Sequence, residues 1–236
     1  MIPPDIDSAA EWPPFYKATF GKIDEERKRL LLEMAVAEFA QKGFNAANIN
    51  EIAKRSGISI GSMYSYFESK EALFLTIIDE GYRVLREALT EAEAATEASD
   101  KAGAEGIVSL FARLLHSSRD YARKYPELTQ IYLDATTQGL APLSGRLSYR
   151  LETITASLYQ RSIAASKAAG TIRQELDAGA LAFYLDNLLI VFQFSFASDY
   201  YRDRMRIFAG DSVDADDGEG LIASLVDLVR RSVAPG

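Results

Sequence analysis

Residues 48–74, with the sequence NINEIAKRSGISIGSMYSYFESKEALF, constrain the fold most, because two short helical patterns are separated there by a glycine. Asn48 can accept a hydrogen bond at a helix N-terminus, and Glu51 stands three residues later in a variant of the capping box. Gly57 ends this helix after about two turns, and Ser59 can cap the next helix at once. Two helices joined by a turn of three or four residues that contains glycine predict a helix-turn-helix.

The second of these helices divides into two faces when residues 60–67 are placed on a helical wheel. Ile60, Met63 and Phe67 fall on one side and are predicted to face the core. The opposite side carries small and hydrogen-bonding groups, which a core-facing surface would not need: Gly61, Ser62, Ser65 and Tyr66. A face of this kind is free to enter the major groove of DNA.

Helices are also predicted on both sides of this motif. The preceding helix is predicted over Asp24–Lys42, with Gly43 as the residue that ends it and Phe44 as the apolar contact beyond it. Ser69 is predicted to cap a long helix that runs past Leu89. Together these segments predict a three-helix DNA-binding domain over residues 22–75.

The stretches AVAEFAQKGF and INEIAKRSGISIGSMYSYFESKEALF resemble the DNA-binding domain of TetR-family transcriptional regulators. The resemblance covers about Arg27 to Phe74. It rests on the glycine-aromatic break, the Gly-Ile-Ser turn, the Tyr-x-Tyr-Phe helix and the Ser-Lys-Glu-x-Leu start, all at the family spacing. The rest of the chain resembles the family only in its length and its helical pattern.

This resemblance implies which side chains meet DNA. Ser62, Ser65 and Tyr66 would contact bases or nearby phosphates, and Tyr64 and Lys70 would hold the phosphate backbone. Phosphate contacts set the register of a protein on the duplex, whereas base contacts specify the sequence.

The chain departs from the family pattern at two places, and both remove groups that hold DNA. Ala47 and Asn48 stand where the family usually has a pair of threonines, although the asparagine can still cap. Ile60 stands where the family often has a cation, and residues 60–66 contain no Lys or Arg, so strong bidentate reading of guanine is not expected. Specificity would then depend on hydroxyl contacts and DNA shape. Phosphate attraction would come from the cations around the helix, namely Lys54, Arg55, Lys70 and Arg27–Arg29.

Charge separates residues 22–75 from the rest of the chain. The 236-residue chain has a net charge of −8, whereas Lys22 to Leu75 contains eight cations and eight anions, so the remaining residues carry the whole −8. An acidic average argues against indiscriminate nucleic-acid binding but can hide a local difference. Residues 1–21 hold four of the seven prolines and no signal-peptide pattern, and they are predicted to be a flexible N-terminal arm.

Apolar residues recur at helical spacing almost from end to end, and sustained two-residue alternation is absent, so the chain is predicted to be all-α. Residues 76–236 are predicted to form a larger helical domain for ligand binding and dimerisation. Helices are predicted there over Pro142–Ala169 and Ala178–Phe208, and residues 210–220 are predicted to be a solvated loop. The helix over Ala178–Phe208 is apolar nearly all round, which indicates two buried faces and a homodimer through a four-helix bundle.

Aromatic and apolar residues in this second domain suggest a ligand pocket, although each of them alone also fits an ordinary core. The predicted ligand-binding residues are Phe111, Leu115, His116, Tyr132, Tyr159, Phe183 and Asn187. His116, the sole histidine, would line the pocket or lie hydrogen-bonded at a helix surface. Asn187 and Gln193 would need buried partners, from the dimer mate, a water or a ligand. With one histidine and no cysteine, a protein metal site is not expected, and no cofactor is expected either.

These features predict a cytoplasmic, homodimeric transcriptional regulator. We expect a repressor that binds a palindromic double-stranded DNA operator and leaves it when a small apolar or aromatic effector binds. An enzyme is not expected, because Glu-x-x-His pairs, a nucleophile elbow and a phosphate-binding glycine loop are absent. No membrane role is expected, because the most apolar segment, Leu181–Phe196, is shorter than the ~20 residues that span a bilayer. The alternative is a helical ligand- or partner-binding module whose DNA binding is weak or lost.

Overall fold

The computed structural model describes residues 14–81, 83, 106–137, 141–210 and 218–235. In these residues every regular element is a helix, which confirms the predicted all-α class. The chain divides into two units, one comprising Met1–Val84 and Glu127–Arg150, the other Leu85–Pro126 and Leu151–Gly236. The predicted boundaries at residues 21 and 75 remain predictions.

The helices are numbered here in chain order. They are α1 (Ala18–Gly21), α2 (Glu25–Ala46), α3 (Ile49–Arg55), α4 (Ile60–Tyr66), α5 (residues 70–81), α6 (Gly106–Lys124), α7 (Pro126–Thr137), α8 (Ala141–Ala168), α9 (Ala178–Phe194), α10 (Asp199–Ala209) and α11 (Glu219–Val233). The predicted extension of α5 past Leu89 lies outside the described residues, as do residues 211–217 of the predicted loop.

Several helix ends follow short-range capping chemistry, including the predicted cap at Ser69. Asp177 caps α9 by accepting a hydrogen bond from the backbone N–H of Ala180 at 2.7 Å. Ser69 caps α5 by accepting from the N–H of Ala72 at 3.2 Å. Pro126 is the first residue of α7, where its missing N–H is not needed.

Three aromatic rings join α2 to α5. Gly43 has a φ of 69° and interrupts the helical conformation of α2, as predicted. The chain then places Phe44 against the core, 6.2 Å between ring centroids from Phe39 and 4.9 Å from Phe74. Phe39 and Phe74 also meet edge to face at 5.0 Å, an arrangement that aromatic pairs prefer.

In the second unit, α6 buries a stripe of apolar residues at helical spacing, and it packs against α9 and α11. Its first turn is fixed to α8, because the backbone N–H of Ile107 donates to Ser166 Oγ at 2.9 Å. Phe111, Leu115 and Tyr159 are fully buried members of one hydrophobic cluster in this unit.

The predicted helix over Ala178–Phe208 is wrong in one respect, because the chain breaks after Phe194. Residues 195–197 form a turn, and α9 and α10 meet at 113°. The turn is held in the core, since Ser195 and Phe196 are both buried and Phe196 packs against Phe192 with ring centroids 5.0 Å apart. No single helix of the described part of the chain is long and apolar enough to cross a membrane, and α9 and α10 meet that test only as a bent pair.

Gly218 forms the start of α11 and is confined by this same turn. Its φ is 70°, and a Cβ added there would stand 2.8 Å from Phe196 Cζ. Gly170, after the end of α8, has the same φ of 70° but nothing within 4 Å of an added Cβ. A side chain at Gly170 would therefore meet backbone strain alone, whereas a side chain at Gly218 would meet both backbone strain and overpacking.

We predict that Gly218→Ala destabilises the protein more than Gly170→Ala does. Both substitutions force a non-glycine residue into the left-handed region, at a cost of about 1 kcal/mol. Only Gly218→Ala also pushes a methyl group into a buried ring, which adds roughly 1–3 kcal/mol. Chemical denaturation of the two variants and the parent chain measures the difference, and equal destabilisation would show that Phe196 does not confine Gly218.

Candidate nucleic-acid interface

The start of α3 is held by a side chain that the sequence reasoning missed. Asn48 Oδ1 accepts from the backbone N–H of Asn50 at 2.9 Å, which confirms Asn48 as the cap. The backbone N–H of Asn48 itself donates to Glu38 Oε1 at 3.0 Å. The predicted reciprocal bond from Glu51 is therefore wrong, because Glu38 of α2 occupies that position.

Glu38 is a buried carboxylate with several partners. Its side chain is 2% exposed, and its oxygens lie 2.7 Å from Lys42 Nζ and 3.7 Å from Arg55 Nη1. Burial raises the pKa of Glu38, but the hydrogen bonds from Lys42 and Asn48 and the charges of Lys42 and Arg55 outweigh it, so the pKa is lowered. The only sequence signal for a buried Glu38 was its place four residues before Lys42 and next to the core residue Phe39.

The turn between α3 and α4 is set by glycine and serine. Gly57 has a φ of 68°, which favours glycine, and the next N–H, of Ile58, returns to Ala53 O at 3.0 Å. Ser59 Oγ then accepts from the backbone N–H of Ser62 at 3.0 Å, so the predicted cap of α4 is confirmed.

The core face of α4 is shorter than the sequence predicted. Met63 and Phe67 are fully buried, as expected, but Ile60 is 39% exposed. Because Ser59 and Gly61 are exposed as well, the first turn of α4 stands out from the core. Placing Ile60 on the core face was therefore wrong.

The opposite face of α4 presents small and polar groups to solvent. Gly61, Tyr64 and Ser65 are exposed, whereas Ser62 and Tyr66 are half-buried. Ser65 Oγ donates to Ser62 O at 2.7 Å, and a hydroxyl that donates in this way keeps its acceptor lone pairs. The face can therefore accept or exchange hydrogen bonds over its whole length, and it contains no charge.

Residues 17–21 are not a flexible arm, contrary to the prediction for that part of residues 1–21. The backbone N–H of Lys17 donates to Tyr66 O at 2.8 Å, and Lys17 Nζ donates to Tyr64 O at 3.0 Å. Thr19 Oγ1 donates to Ser65 O. The last carbonyls of a helix have no partner within the helix, so this segment satisfies three of those of α4. Residues 1–13 lie outside the described part of the chain.

An aromatic cluster fixes the same segment to α4. Phe20 is buried, and its ring centroid lies 4.8 Å from that of Phe67 and 5.8 Å from that of Tyr66. Tyr16 meets Phe20 edge to face at 5.1 Å. Tyr66, which the resemblance assigned to DNA, is therefore held from one side by α1.

The cations predicted to attract phosphate are placed differently from one another. Lys54 and Arg55 are exposed at the end of α3. Lys70 Nζ donates to Asn45 O at 3.1 Å and Ala47 O at 3.2 Å and lies over the ring of Phe44. An ammonium group has three donors, so Lys70 supports the loop before α3 and retains one donor for another acceptor.

The predicted ligand-binding residues do not come together as one group. Phe111, Leu115 and Tyr159 share the buried cluster of the second unit, whereas Tyr132 is in α7, in the stretch assigned to the first unit. Phe183 is 74% exposed on α9.

The two predicted polar ligand residues both lie near the surface. Asn187 is exposed, and its Nδ2 donates to Phe183 O at 2.7 Å, so it does not need the buried partner that the sequence suggested. His116 is half-exposed, with Nδ1 3.5 Å from Glu219 Oε1, which matches the helix-surface alternative.

Comparison with known proteins assigns the helix-turn-helix region to a family. Residues 31–77 match the sequence model of the bacterial regulatory proteins of the tetR family. The chain is 47% identical over 58 residues to the uncharacterized HTH-type transcriptional regulator YuxN of Bacillus subtilis, a match of 25% of this chain and 20% of that protein. It is 42% identical over 53 residues to the HTH-type transcriptional repressor KstR2 of Mycobacterium tuberculosis, 22% of this chain and 26% of that protein. The chain thus matches only about a fifth to a quarter of the length of these two relatives.

Solved structures extend the likeness of the fold to nearly the whole chain. A TetR-family transcriptional regulator from Chloroflexus aurantiacus has a TM-score of 0.61 and 21% identity, with 94% of this chain and 99% of that chain covered. A tetR-family regulatory protein from Rhodococcus RHA1 has a TM-score of 0.65 and 20% identity, with 91% and 100% covered.

The helix-turn-helix lies within the residues that the family model matches, and the fold of nearly the whole chain is similar to that of the two solved structures. The chain carries the helix-turn-helix domain of the TetR family, which confirms the resemblance inferred from the sequence.

We predict that Glu38→Gln lowers the free energy of unfolding at pH 7 by about 1–3 kcal/mol, because it removes a buried charge that accepts charge-assisted hydrogen bonds. The pKa of Glu38 is lowered in the folded state, so its contribution is present above the unfolded value of 4.5 and is lost as pH falls through the folded pKa. Denaturation at pH 7 and at decreasing pH below 4.5 measures this, and the difference between variant and parent shrinks in acid.

Glu33→Gln is the matched control on the same helix. Glu33 and Glu38 each accept from a cation four residues away, at 2.8 and 2.7 Å, but Glu33 is 50% exposed and Glu38 2%. The exposed pair is expected to contribute at most about 0.5 kcal/mol. Similar losses for both variants would contradict the role given to burial.

We also predict that Lys17→Met speeds backbone hydrogen exchange in α4 several-fold, because it removes the bond from Nζ to Tyr64 O. The substitution keeps the unbranched shape of the side chain and shortens it by one atom. Lys22→Met, which makes the same charge change at an exposed residue, is the control and is expected to leave exchange in α4 unchanged. Equal protection of α4 in both variants would show that the Lys17 side chain does not hold the helix.

Proposed function

We propose that this protein is a cytoplasmic, ligand-responsive transcriptional regulator that binds a palindromic DNA operator as a homodimer. It acts as a repressor and leaves the operator when a small apolar or aromatic molecule binds in the second domain. The proposal includes the domain boundaries inferred from the sequence, with DNA binding over residues 22–75 and ligand binding and dimerisation over residues 76–236. It includes no enzymatic activity.

The exposed face of α4 is the observation that carries this proposal. A helix of seven residues is too short to be stable alone, so its position depends on what holds its ends. Ser59 holds the first turn, and Lys17 with Thr19 holds the last. A short helix that is supported at both ends and has an exposed polar face is suited to insertion into a major groove.

We assign the contacts with DNA as the sequence predicted them, with two adjustments of role. The DNA-binding residues are Asn48, Lys54, Arg55, Gly61, Ser62, Tyr64, Ser65, Tyr66 and Lys70. Tyr64 is the most favourable contact with the DNA backbone, because its large side chain is 47% exposed. Tyr66 and Lys70 have protein contacts that limit their reach, so we give them mainly the task of positioning the residues around them.

Exposed apolar side chains on α9 support the homodimer. Phe183, Tyr184 and Val191 are large and exposed on this helix, and Asn187 lies on the same side at helical spacing. Leu228 of α11 is also 61% exposed. A second copy that covers these residues would give α9 the two buried faces its composition indicates.

The dimer gives the effector a way to act. Two recognition helices related by a two-fold axis read half-sites about 34 Å apart, one turn of B-DNA. A ligand that favours a different spacing of these helices lowers operator affinity through its differential binding to the two states. Phe111, Leu115 and Tyr159 are the effector residues that we retain, because they share one buried cluster.

A second candidate is a helical ligand- or partner-binding module whose DNA binding is weak. Two observations favour it: residues 60–66 contain no cation, and Lys70 is occupied by carbonyl groups of its own domain. Both reduce the phosphate attraction that dominates DNA affinity.

Selection from random double-stranded DNA distinguishes the two candidates. We expect an inverted repeat to be enriched, and we expect Tyr64→Ala to weaken binding to that repeat about tenfold, since one contact to charged phosphate is lost. Tyr200→Ala, an equally large truncation at an exposed residue of α10, serves as control and retains full affinity.

Binding to the selected repeat is then measured at two salt concentrations. Affinity that falls as salt rises is expected for a protein that neutralises phosphates. Failure to enrich any repeat, with the protein folded and free of ligand, would favour the ligand- or partner-binding module instead.

A further inference from the structure

The C-terminal end of α4 carries a positive charge that does not come from α4 itself. Residues 60–66 contain no Lys or Arg. Lys17 Nζ donates to the carbonyl oxygen of Tyr64 at 3.0 Å, across 47 positions of the sequence. The fold thus places an ammonium group on a helix whose own sequence supplies none.

The position of this ammonium group is fixed by contacts on both sides of it along the chain. The backbone N–H of Lys17 donates to Tyr66 O at 2.8 Å, and the ring of Tyr16 meets that of Phe20 edge to face. Phe20 is buried against Phe67, with ring centroids 4.8 Å apart. A lysine side chain normally loses rotamer freedom when it binds a ligand, whereas that of Lys17 is already held. A further contact made by it therefore costs less entropy.

The charge of Lys17 is not neutralised by an acid. Among the described residues, the one hydrogen-bond partner of its Nζ is the neutral carbonyl of Tyr64, and no carboxylate forms an ion pair with it. By contrast, the cations Arg27, Lys28 and Arg29 of α2 lie 3.3, 2.7 and 2.8 Å from carboxylate oxygens. An ammonium group has three donors, and Lys17 is only half-buried, so two donors remain for another acceptor.

The ammonium group also changes the electrostatics of the end of α4. The last carbonyl groups of a helix give it a partial negative charge, which repels an anion. At α4 these carbonyls accept hydrogen bonds from Lys17 and Thr19, so the end beside the exposed Tyr64 and Ser65 carries a net positive group. The major groove is bordered by phosphates, so a group at the end of a helix in the groove lies near an anion.

We propose that Lys17 contacts a DNA phosphate and so supplies to α4 the positive charge that its own sequence lacks. The ammonium group keeps its bond to Tyr64 O and donates a second, charge-assisted hydrogen bond to a phosphate oxygen. This inference rests on the proposed function, because it takes the exposed face of α4 as the surface that meets DNA. It adds a DNA contact outside residues 31–77, which match the family.

The salt dependence of DNA binding tests this contact. Each phosphate that a protein neutralises adds about 0.9 to the steepness of log affinity against log salt concentration. A homodimer presents Lys17 from both protomers, so Lys17→Met is expected to reduce the slope by roughly 2. The loss of affinity is then about tenfold larger at 50 mM than at 200 mM salt. Fluorescence anisotropy of a labelled duplex that carries the selected repeat measures both quantities.

Two further variants separate a phosphate contact from simple support of α4. Thr19→Val removes the neighbouring bond to Ser65 O but no charge, so it is expected to weaken binding by the same factor at every salt concentration. Lys17→Arg keeps the charge and is expected to keep the slope of the parent. Lys17→Met also removes the bond to Tyr64 O. A loss of affinity with an unchanged slope would therefore assign Lys17 to support alone and overturn the proposal.

Lys124→Met is the control for net charge. Lys124 is exposed on α6, in the other unit of the chain, and its substitution makes the same charge change. We expect Lys124→Met to leave the slope unchanged. An equal reduction of the slope by Lys17→Met and Lys124→Met would show a general effect of charge and would contradict a contact at Lys17.

A failure of this inference is distinguishable from a failure of the proposed function. An enriched repeat that Lys17→Met binds with the slope of the parent supports the regulator and overturns the phosphate contact. If no repeat is enriched, the same titration is made on an unrelated duplex, because phosphate contacts act on any sequence. A reduced slope there supports the contact and overturns the sequence-specific regulator, and no binding to any duplex overturns both.

Discussion

The helix-turn-helix depends on the hydrogen bond from the backbone N–H of Asn48 to the buried carboxylate of Glu38. This bond fixes the N-terminal end of α3 to α2. Lys42 and Arg55 balance the negative charge of the buried Glu38 carboxylate. A buried charge with partners on two helices is costly to leave unpaired, so the three groups hold a single arrangement. The orientation of α3 and, through the short turn at Gly57, the position of α4 follow from it.

Much of the fold was predictable because it depends on residues within four positions of one another. Asn48, Ser59 and Asp177 cap helices through neighbours along the chain, and Gly43 interrupts α2 where its φ requires glycine. Helical periodicity likewise predicted the all-α class. The family resemblance covered the same short-range features, which is why it was confirmed over residues 31–77.

The rest was not predictable because it depends on residues far apart in sequence. Lys17 reaches Tyr64 across 47 positions, and no local pattern marks it. An acid such as Glu38 has the same helical spacing to a cation whether it is buried or exposed. Phe183 shows the converse limit, since an apolar residue in an apolar helix has no signal that separates a buried position from an exposed one.

The contacts between α1 and α4 change where the smallest folding unit of the DNA-binding domain begins. The residues that match the family model begin at 31. The groups that donate hydrogen bonds to the carbonyl oxygens of Tyr64, Ser65 and Tyr66 lie before residue 21, as does the buried ring of Phe20. A fragment cut at the family boundary would keep the whole helix-turn-helix motif and lose what terminates its second helix. The sequence motif of the helix-turn-helix is thus shorter than the segment that holds it in place, because that segment also includes residues 17–20.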